Sequence, residues 1–235
     1  SKQISIIIIM LTYIKVLPKD YDPSEALPLV AFFPGHKGTA LKFKNLFAGE
    51  QAKRRFVGVY FNTPEGGWNI KDHWHEIEDI LIDVADNSLG WYAVGISNGA
   101  CLALQMQCDA VFIGVASFAG SLFKGDTANP PCSEIRRTIM FNGKKDKSVP
   151  FYGGDDVHGA DMIGAESTIM EMAAKTMFSR VETYGYSVNS GDKKSILYAF
   201  DNYAHDVYSK VSKELGWNLP ELCLNFFGIP KNVVK

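Results

Sequence analysis

"YAVGISNGA", residues Tyr92 to Ala100, sets a serine between two glycines directly after an apolar run. Two readings compete. In one the segment is a glycine-lined turn joining a strand to a helix. In the other it lifts Ser97 clear of a sheet edge as a nucleophile. The Gly-x-Ser-x-Gly pattern alone is weak, because small residues crowd many turns. Its context meets what the chemistry demands. A strand ending at Val94–Gly95 and a helix starting near Asn98 would point the serine oxygen away from the sheet. Gly95 and Gly99 leave room for close packing and a strained backbone. The helix N-terminus supplies free N–H groups and a positive dipole end beside a developing oxyanion.

Outward from this turn the chain alternates. Leu29–Phe33, Phe56–Phe61, Trp91–Val94, Ala110–Val115, Thr138–Phe141 and Ser195–Phe200 are short, unalternating apolar runs rich in β-branched and aromatic residues. Such runs fit strands buried on both faces of a parallel sheet. Asp72–Val84 puts Trp74, Ile77, Ile80, Leu81 and Val84 at helical spacing, with Asp72 able to cap its start. Asn98–Cys108 is small and apolar, as a buried helix would be. Asp161–Arg180 reads as a long amphipathic helix, and His205–Leu215 and Leu219–Phe227 as the last two. The alternation predicts an α/β, doubly wound, mostly parallel sheet flanked by helices, in one domain spanning residues 1–235.

An elbow serine needs an acid and a base, in the chain order Ser, Asp, His. Asp146 follows the strand Thr138–Phe141 and His205 follows the strand Ser195–Phe200, at the edge where catalytic groups of such sheets gather. Of the five histidines, His36, His73 and His75 precede the serine, and His158 follows no strand. Asp155, Asp156 and Asp201 rival Asp146 for the acid. Alternatively, His205 is a loop histidine at a helix start and Asp146 a solvated acid among lysines. Two oxyanion donors are expected: the backbone N–H of Asn98, and one from the loop "FFPGHKGTA", where His36 is preferred to Lys37. Trp68, Phe151 and Tyr152 could wall an acyl pocket, or simply pack their loops.

Composition narrows the rest. The chain has 235 residues, 46% of them hydrophobic, and a formal net charge of -2, which gives no general electrostatic reason to bind nucleic acid or acidic membranes. Ile4–Leu11 is far too short to span a bilayer. It reads mainly as a strand. Lys2 lends it some character of a secretory-signal remnant, but no small-x-small cleavage site follows. Cys101, Cys108, Cys132 and Cys223 form no CxxC and no zinc spacing; Cys108 and Cys132 are the pair best placed for a bridge. His73 and His75 would sit on different helix faces, so no metal site is expected.

Four segments together resemble a known family: "YIKVLPKDYDPSEALPLVAFFPGHKG", "YAVGISNGACLALQMQC", "IMFNGKKDKSVPFYGG" and "AHDVYSKVSKELGWNLPELCLNFF". They are similar to the polyhydroxybutyrate depolymerase-like and feruloyl esterase-like (carbohydrate esterase family 1-like) branch of the α/β-hydrolases. The resemblance runs from residue 13 to about 228. It implies an α/β-hydrolase fold, a Ser97, Asp146, His205 triad, a serine esterase working through an acyl-enzyme, no cofactor, and a secreted or extracytoplasmic setting in preference to the cytoplasm. Two departures stand out. Pro34-Gly35 replaces the family's usual His-Gly, and Ala100 replaces a frequent glycine. The expected substrate is a small or polymeric carboxylic ester of feruloyl, acetyl-polysaccharide or polyhydroxyalkanoate type. The alternatives are a peptidase or thioesterase with the same triad, or a silent binding protein on this fold. The short stretch between the strands at Ala110–Val115 and Thr138–Phe141 predicts no large lid. Oligomeric state is left open.

Overall fold

The computed structural model describes residues 10–85, 87–109, 111–124, 137–173, 179–191 and 194–232. The chain order is β1 (Tyr13–Val16), β2 (Leu29–Phe33), α1 (Ala40–Gln51), β3 (Val57–Phe61), α2 (Ile70–Val84), β4 (Trp91–Ile96), α3 (Asn98–Cys108) and β5 (Gly114–Phe118). Then follow β6 (Arg137–Gly143), β7 (Gly154–Asp155), β8 (Asp161–Met162), α4 (Ala165–Met172), β9 (Ser179–Thr183), β10 (Tyr186–Gly191), β11 (Ser195–Phe200), α5 (Val207–Glu214) and α6 (Leu219–Phe226).

Nine strands form one sheet in the order β1-β3-β2-β4-β5-β6-β11-β10-β9, and β7 and β8 pair apart. The six strands from β3 to β11 run parallel; β1, at one edge, is antiparallel to β3, and β10 is antiparallel to both its neighbours. Helices cover both faces, which is why the inner strands are mostly apolar, with Ser117, Thr138, Asn142 and Ser195 as buried polar exceptions. Leu29, Ala31 and Phe33 of β2 face a core closed by Ile77 and Leu81 of α2, Leu102 and Met106 of α3 and Ile169 of α4. Val30 and Phe32 face the other way, onto Phe43 and Phe47 of α1, Val211 of α5 and Leu224 of α6.

β2 leads outward to β3, and β4 returns to the opposite side of β2. The direction of winding reverses between β2 and β4, and the crevice outside their carboxyl ends is where ligands bind in such sheets.

Several expected elements differ. Among its described residues, the predicted helix Asp161–Arg180 holds β8, the short α4 and the first two residues of the edge strand β9. Gly164, at φ +88°, breaks the helix at its start, where a Cβ would lie 2.6 Å from the Phe151 carbonyl. Gly185, at φ +85°, turns β9 into β10. The strand expected over Ala110–Val115 is Gly114–Phe118, because its register is set by β4 from Tyr92↔Gly114 onward, while the Val111 N–H still bonds Met106 at the end of α3. α2 is capped by Asn69, whose side chain accepts from the Lys71 N–H, and Asp72 sits in the first turn instead. The sequence marked no helix at α1, where Thr39 caps and Phe43 and Phe47 turn inward. Most of the Ile4–Leu11 run, and Cys132 of the expected Cys108–Cys132 pair, lie outside the described residues.

Candidate active site

Ser97 sits at φ +54° and ψ -123°, a conformation that L-residues rarely hold, between the end of β4 and the start of α3. The surrounding contacts force it. The Ser97 N–H bonds the Phe118 carbonyl at 2.8 Å, and its own carbonyl accepts from Ala100 and Cys101. A Cβ on Gly95 would fall 2.5 Å from the Ala100 Cα, and one on Gly99 would fall 2.2 Å from the Phe33 carbonyl. Both glycines are therefore required by close approach, one within the elbow and one against β2.

His205 and Asp146 meet the serine from the loops after β11 and β6. Ser97 Oγ lies 2.7 Å from His205 Nε2, and His205 Nδ1 lies 2.8 Å from Asp146 Oδ2. The other carboxylate oxygen accepts from the Ser148 and Val149 N–H groups at 2.8 and 3.0 Å. The Asp146 side chain is fully buried and the imidazole is partly exposed. A buried carboxylate held by two backbone donors fixes Nδ1 as the protonated nitrogen. Nε2 is then left to accept the serine proton. Two of the three rival acids are engaged elsewhere. Asp201 pairs with Lys144 at 2.7 Å, and Asp156 accepts from the His158 and Ala160 N–H groups.

The loop after β2 lies against the serine. A Cβ on Gly35 would be 3.3 Å from the Ser97 Cβ, so His36 follows directly beside the hydroxyl. Among the described residues, the backbone N–H groups of His36 and Asn98 have no acceptor. The loop is pinned from behind. The Trp68 indole N–H donates to the Pro34 carbonyl at 2.9 Å, and the Thr63 hydroxyl donates to the Gly35 carbonyl at 2.7 Å. The Trp68 backbone N–H donates to Asn98 Oδ1 at 2.5 Å, and Asn98 Nδ2 returns a bond to the Trp68 carbonyl. Asn98 and Trp68 thus tie the elbow to the loop carrying His36, through the altered Pro34-Gly35 step.

Two adjoining cavities open here. One, of about 410 Å³, holds Ser97, His205, Cys101, Val149 and Val157; the other, of about 470 Å³, runs past Trp68, Asn69, Ile70 and Lys71. His36, Asn98, Phe123, Asp156 and His158 line both. Burial pushes the Cys101 thiol up to about 12, so it is no rival nucleophile at neutral pH.

Trp68 lines the second cavity, and its ring packs edge-on against Phe33. Phe151 and Tyr152, expected in the same wall, line neither cavity. Phe151 is 1% exposed inside the core beneath α4, and Tyr152 points to solvent at 74% exposure. Their place is taken by Phe123 and by the β7–β8 hairpin, whose tip brings His158 to 5.3 Å from His36, ring centre to ring centre. One sequence cue marks this hairpin, the turn-forming run Asp155-Asp156-Val157-His158-Gly159.

No protein-family model matches the sequence, and no curated protein matches it. Solved structures do match. A thermophilic esterase of the Planctomycetes species Thermogutta terrifontis, with propionate bound, aligns at TM-score 0.62 and 16% identity, over 95% of this chain and 93% of that one. An acetyl xylan esterase from Aspergillus awamori aligns at 0.57 and 11%, over 89% and 94%. A phospholipase/carboxylesterase from Dyadobacter fermentans aligns at 0.55 and 12%, over 88% and 99%. At these identities the likeness is one of architecture. The sheet order, the reversal beside the serine elbow and this agreement over nearly the whole chain make the protein an α/β-hydrolase in fold.

Proposed function

We propose that this chain is a serine hydrolase of carboxylic esters. The observation that carries the proposal is the unbroken hydrogen-bonded line from Ser97 through His205 to Asp146, with the serine on a strained elbow. In this mechanism Ser97 Oγ attacks the ester carbonyl as His205 Nε2 takes its proton. The backbone N–H groups of Asn98 and His36 receive the oxyanion. The alkoxide leaves with the proton from His205, and an acyl-serine remains. Water, deprotonated by the same imidazole, then releases the acid. Asp146 holds the imidazole in one tautomer and stabilises its charged form.

The direction of the substrate follows from the proton. His205 must reach the leaving oxygen, so the alcohol lies beside it, near Ser148 and Val149. The acyl group extends the other way, past Asn98 and between Trp68, Ile70 and Phe123. That cavity, of about 470 Å³ with Trp68, Ile70 and Phe123 among otherwise mostly polar lining residues, has room for a feruloyl or hydroxyalkanoyl group larger than acetyl. The structural neighbours, being esterases by their own descriptions, support the same class of reaction.

The test is a rate panel: p-nitrophenyl acetate and butyrate, methyl ferulate and a hydroxybutyrate oligomer, with Ser97→Ala and His205→Ala beside the wild type. Loss of hydrolysis in both variants is expected, with methyl ferulate or the oligomer preferred to acetate. A wild type no faster than its variants on every ester, and unlabelled by a fluorophosphonate, would overturn the proposal.

A further inference from the structure

The sheet has two edges, and they differ. β1 is largely half-buried, whereas all five residues of β9, Ser-Arg-Val-Glu-Thr, are exposed. Val181, at the centre, is 58% exposed. An uncovered edge presents unpaired N–H and C=O groups and is a template for another strand. The side chains determine which strand fits.

Arg180 and Glu182 flank Val181. Across the hairpin they face only the neutral Asn189 and Ser187. Their charges meet each other, with Arg180 Nε 2.5 Å from Glu182, and Arg180 also reaches Glu166 of α4 at 3.4 Å. From this arrangement we infer that β9 pairs with β9 of a second copy of this chain, antiparallel, with the two-fold axis at Val181. In that register Arg180 of each copy lies opposite Glu182 of the other, and Ser179 opposite Thr183. Opposite charges at facing positions stabilise a sheet, and like charges destabilise it. Sliding to centre on Glu182 sets two glutamates face to face, and centring on Arg180 sets two arginines face to face. A parallel, in-register pair does both. The strand therefore encodes its own register by charge, as an isologous contact requires.

Pairing of this kind joins two nine-stranded sheets into one. Because β9 runs antiparallel to its copy, the carboxyl ends of the two sets of central strands point in opposite directions. Ser97 of each copy opens away from the joint, and association leaves substrate access unchanged. The inference does not depend on the esterase proposal.

Sedimentation velocity across a concentration series tests it. The wild type is expected to show a reversible monomer–dimer equilibrium. Arg180→Glu places two pairs of facing glutamates in the joint, and Glu182→Arg places two pairs of facing arginines there. Each variant should weaken self-association about tenfold or more. An equimolar mixture of the two variants restores opposite charges at every facing position and should dimerise like the wild type. A loss of stability within each chain cannot produce that rescue. A wild type that stays monomeric throughout overturns the inference. So do single variants that dimerise as well as the wild type, and so does a mixture no more associated than its components.

Discussion

Gly143, the last residue of β6, governs how the two loops of the proposed triad fit together. A Cβ there would lie 2.2 Å from the Tyr203 carbonyl oxygen and 2.5 Å from that of Ala204. Real Cβ contacts essentially never fall below 3.0 Å, so Gly143→Ala must push this backbone away by about 0.8 Å. The segment has little freedom to give elsewhere, since the Lys145 N–H holds the Tyr203 carbonyl and the Lys144 N–H holds that of Phe200. His205 is the next residue. A shift of that size takes its 2.7 Å bond to Ser97 to about 3.5 Å, the limit of a hydrogen bond. A misplacement near 1 Å lowers turnover about 100-fold. The overpacking itself costs about 1–3 kcal/mol of stability. The assay is kcat/KM on the best ester of the panel, with thermal melting beside it. Cooperative melting a few degrees lower, with activity down about 100-fold, is the expected result. A folded Gly143→Ala enzyme within twofold of the wild type would refute the account of how His205 is placed.

Trp68→Phe keeps the ring packed against Phe33 but removes the N–H that pins the Pro34 carbonyl; kcat should fall about tenfold in steady-state assays, and an unchanged kcat would point away from His36 as oxyanion donor. Glu50 is buried, which alone would raise its carboxyl, but hydrogen bonds from Arg54 and Lys53 prevail and hold it below the ordinary 4.5. Its contribution to stability is therefore present above about pH 4.5 and lost as pH falls through the lowered value. Glu50→Gln leaves the Arg54 charge buried without its counter-charge and should cost about 3 kcal/mol at neutral pH, with melting curves that converge on the wild type in acid. Gly49, exposed in α1 with nothing within 4 Å of a built Cβ, should become about 0.4–1 kcal/mol more stable as alanine, read from urea midpoints.

What the sequence made legible follows physical rules of short range. The strands β2 and β3 were readable because burial on both faces leaves no polar alternation to confuse them. The helix Asn98–Cys108 was readable to its ends because small residues after a glycine turn have one packing solution there. Ser97, His205 and Asp146, expected together from chain order, do lie within hydrogen-bonding distance. Long-range placement was not readable. Phe151 follows the acid loop closely in sequence, yet the turn at Gly153 and Gly164 folds it under α4. His158 follows no strand, and only the β7–β8 pairing shows that it overhangs the cleft. The expected helix ran into the first two residues of β9, and the rest of that strand carries almost no apolar signal, since Val181 is its one apolar residue.

The Arg54 guanidinium is buried, and its donors reach the Ile229 carbonyl and Asn225 Oδ1, 175 and 171 residues further along the chain. A ribosome adding about 5–20 residues per second makes that partner roughly 9–35 s after the arginine. Of the guanidinium's partners in the folded protein, Glu50 alone is made before that interval. α1 meets β2 and β3 early, but its side toward α6 is completed only once the Arg54 partners have been made. A chain stopped before Asn225 lacks both of these bonds to the buried guanidinium.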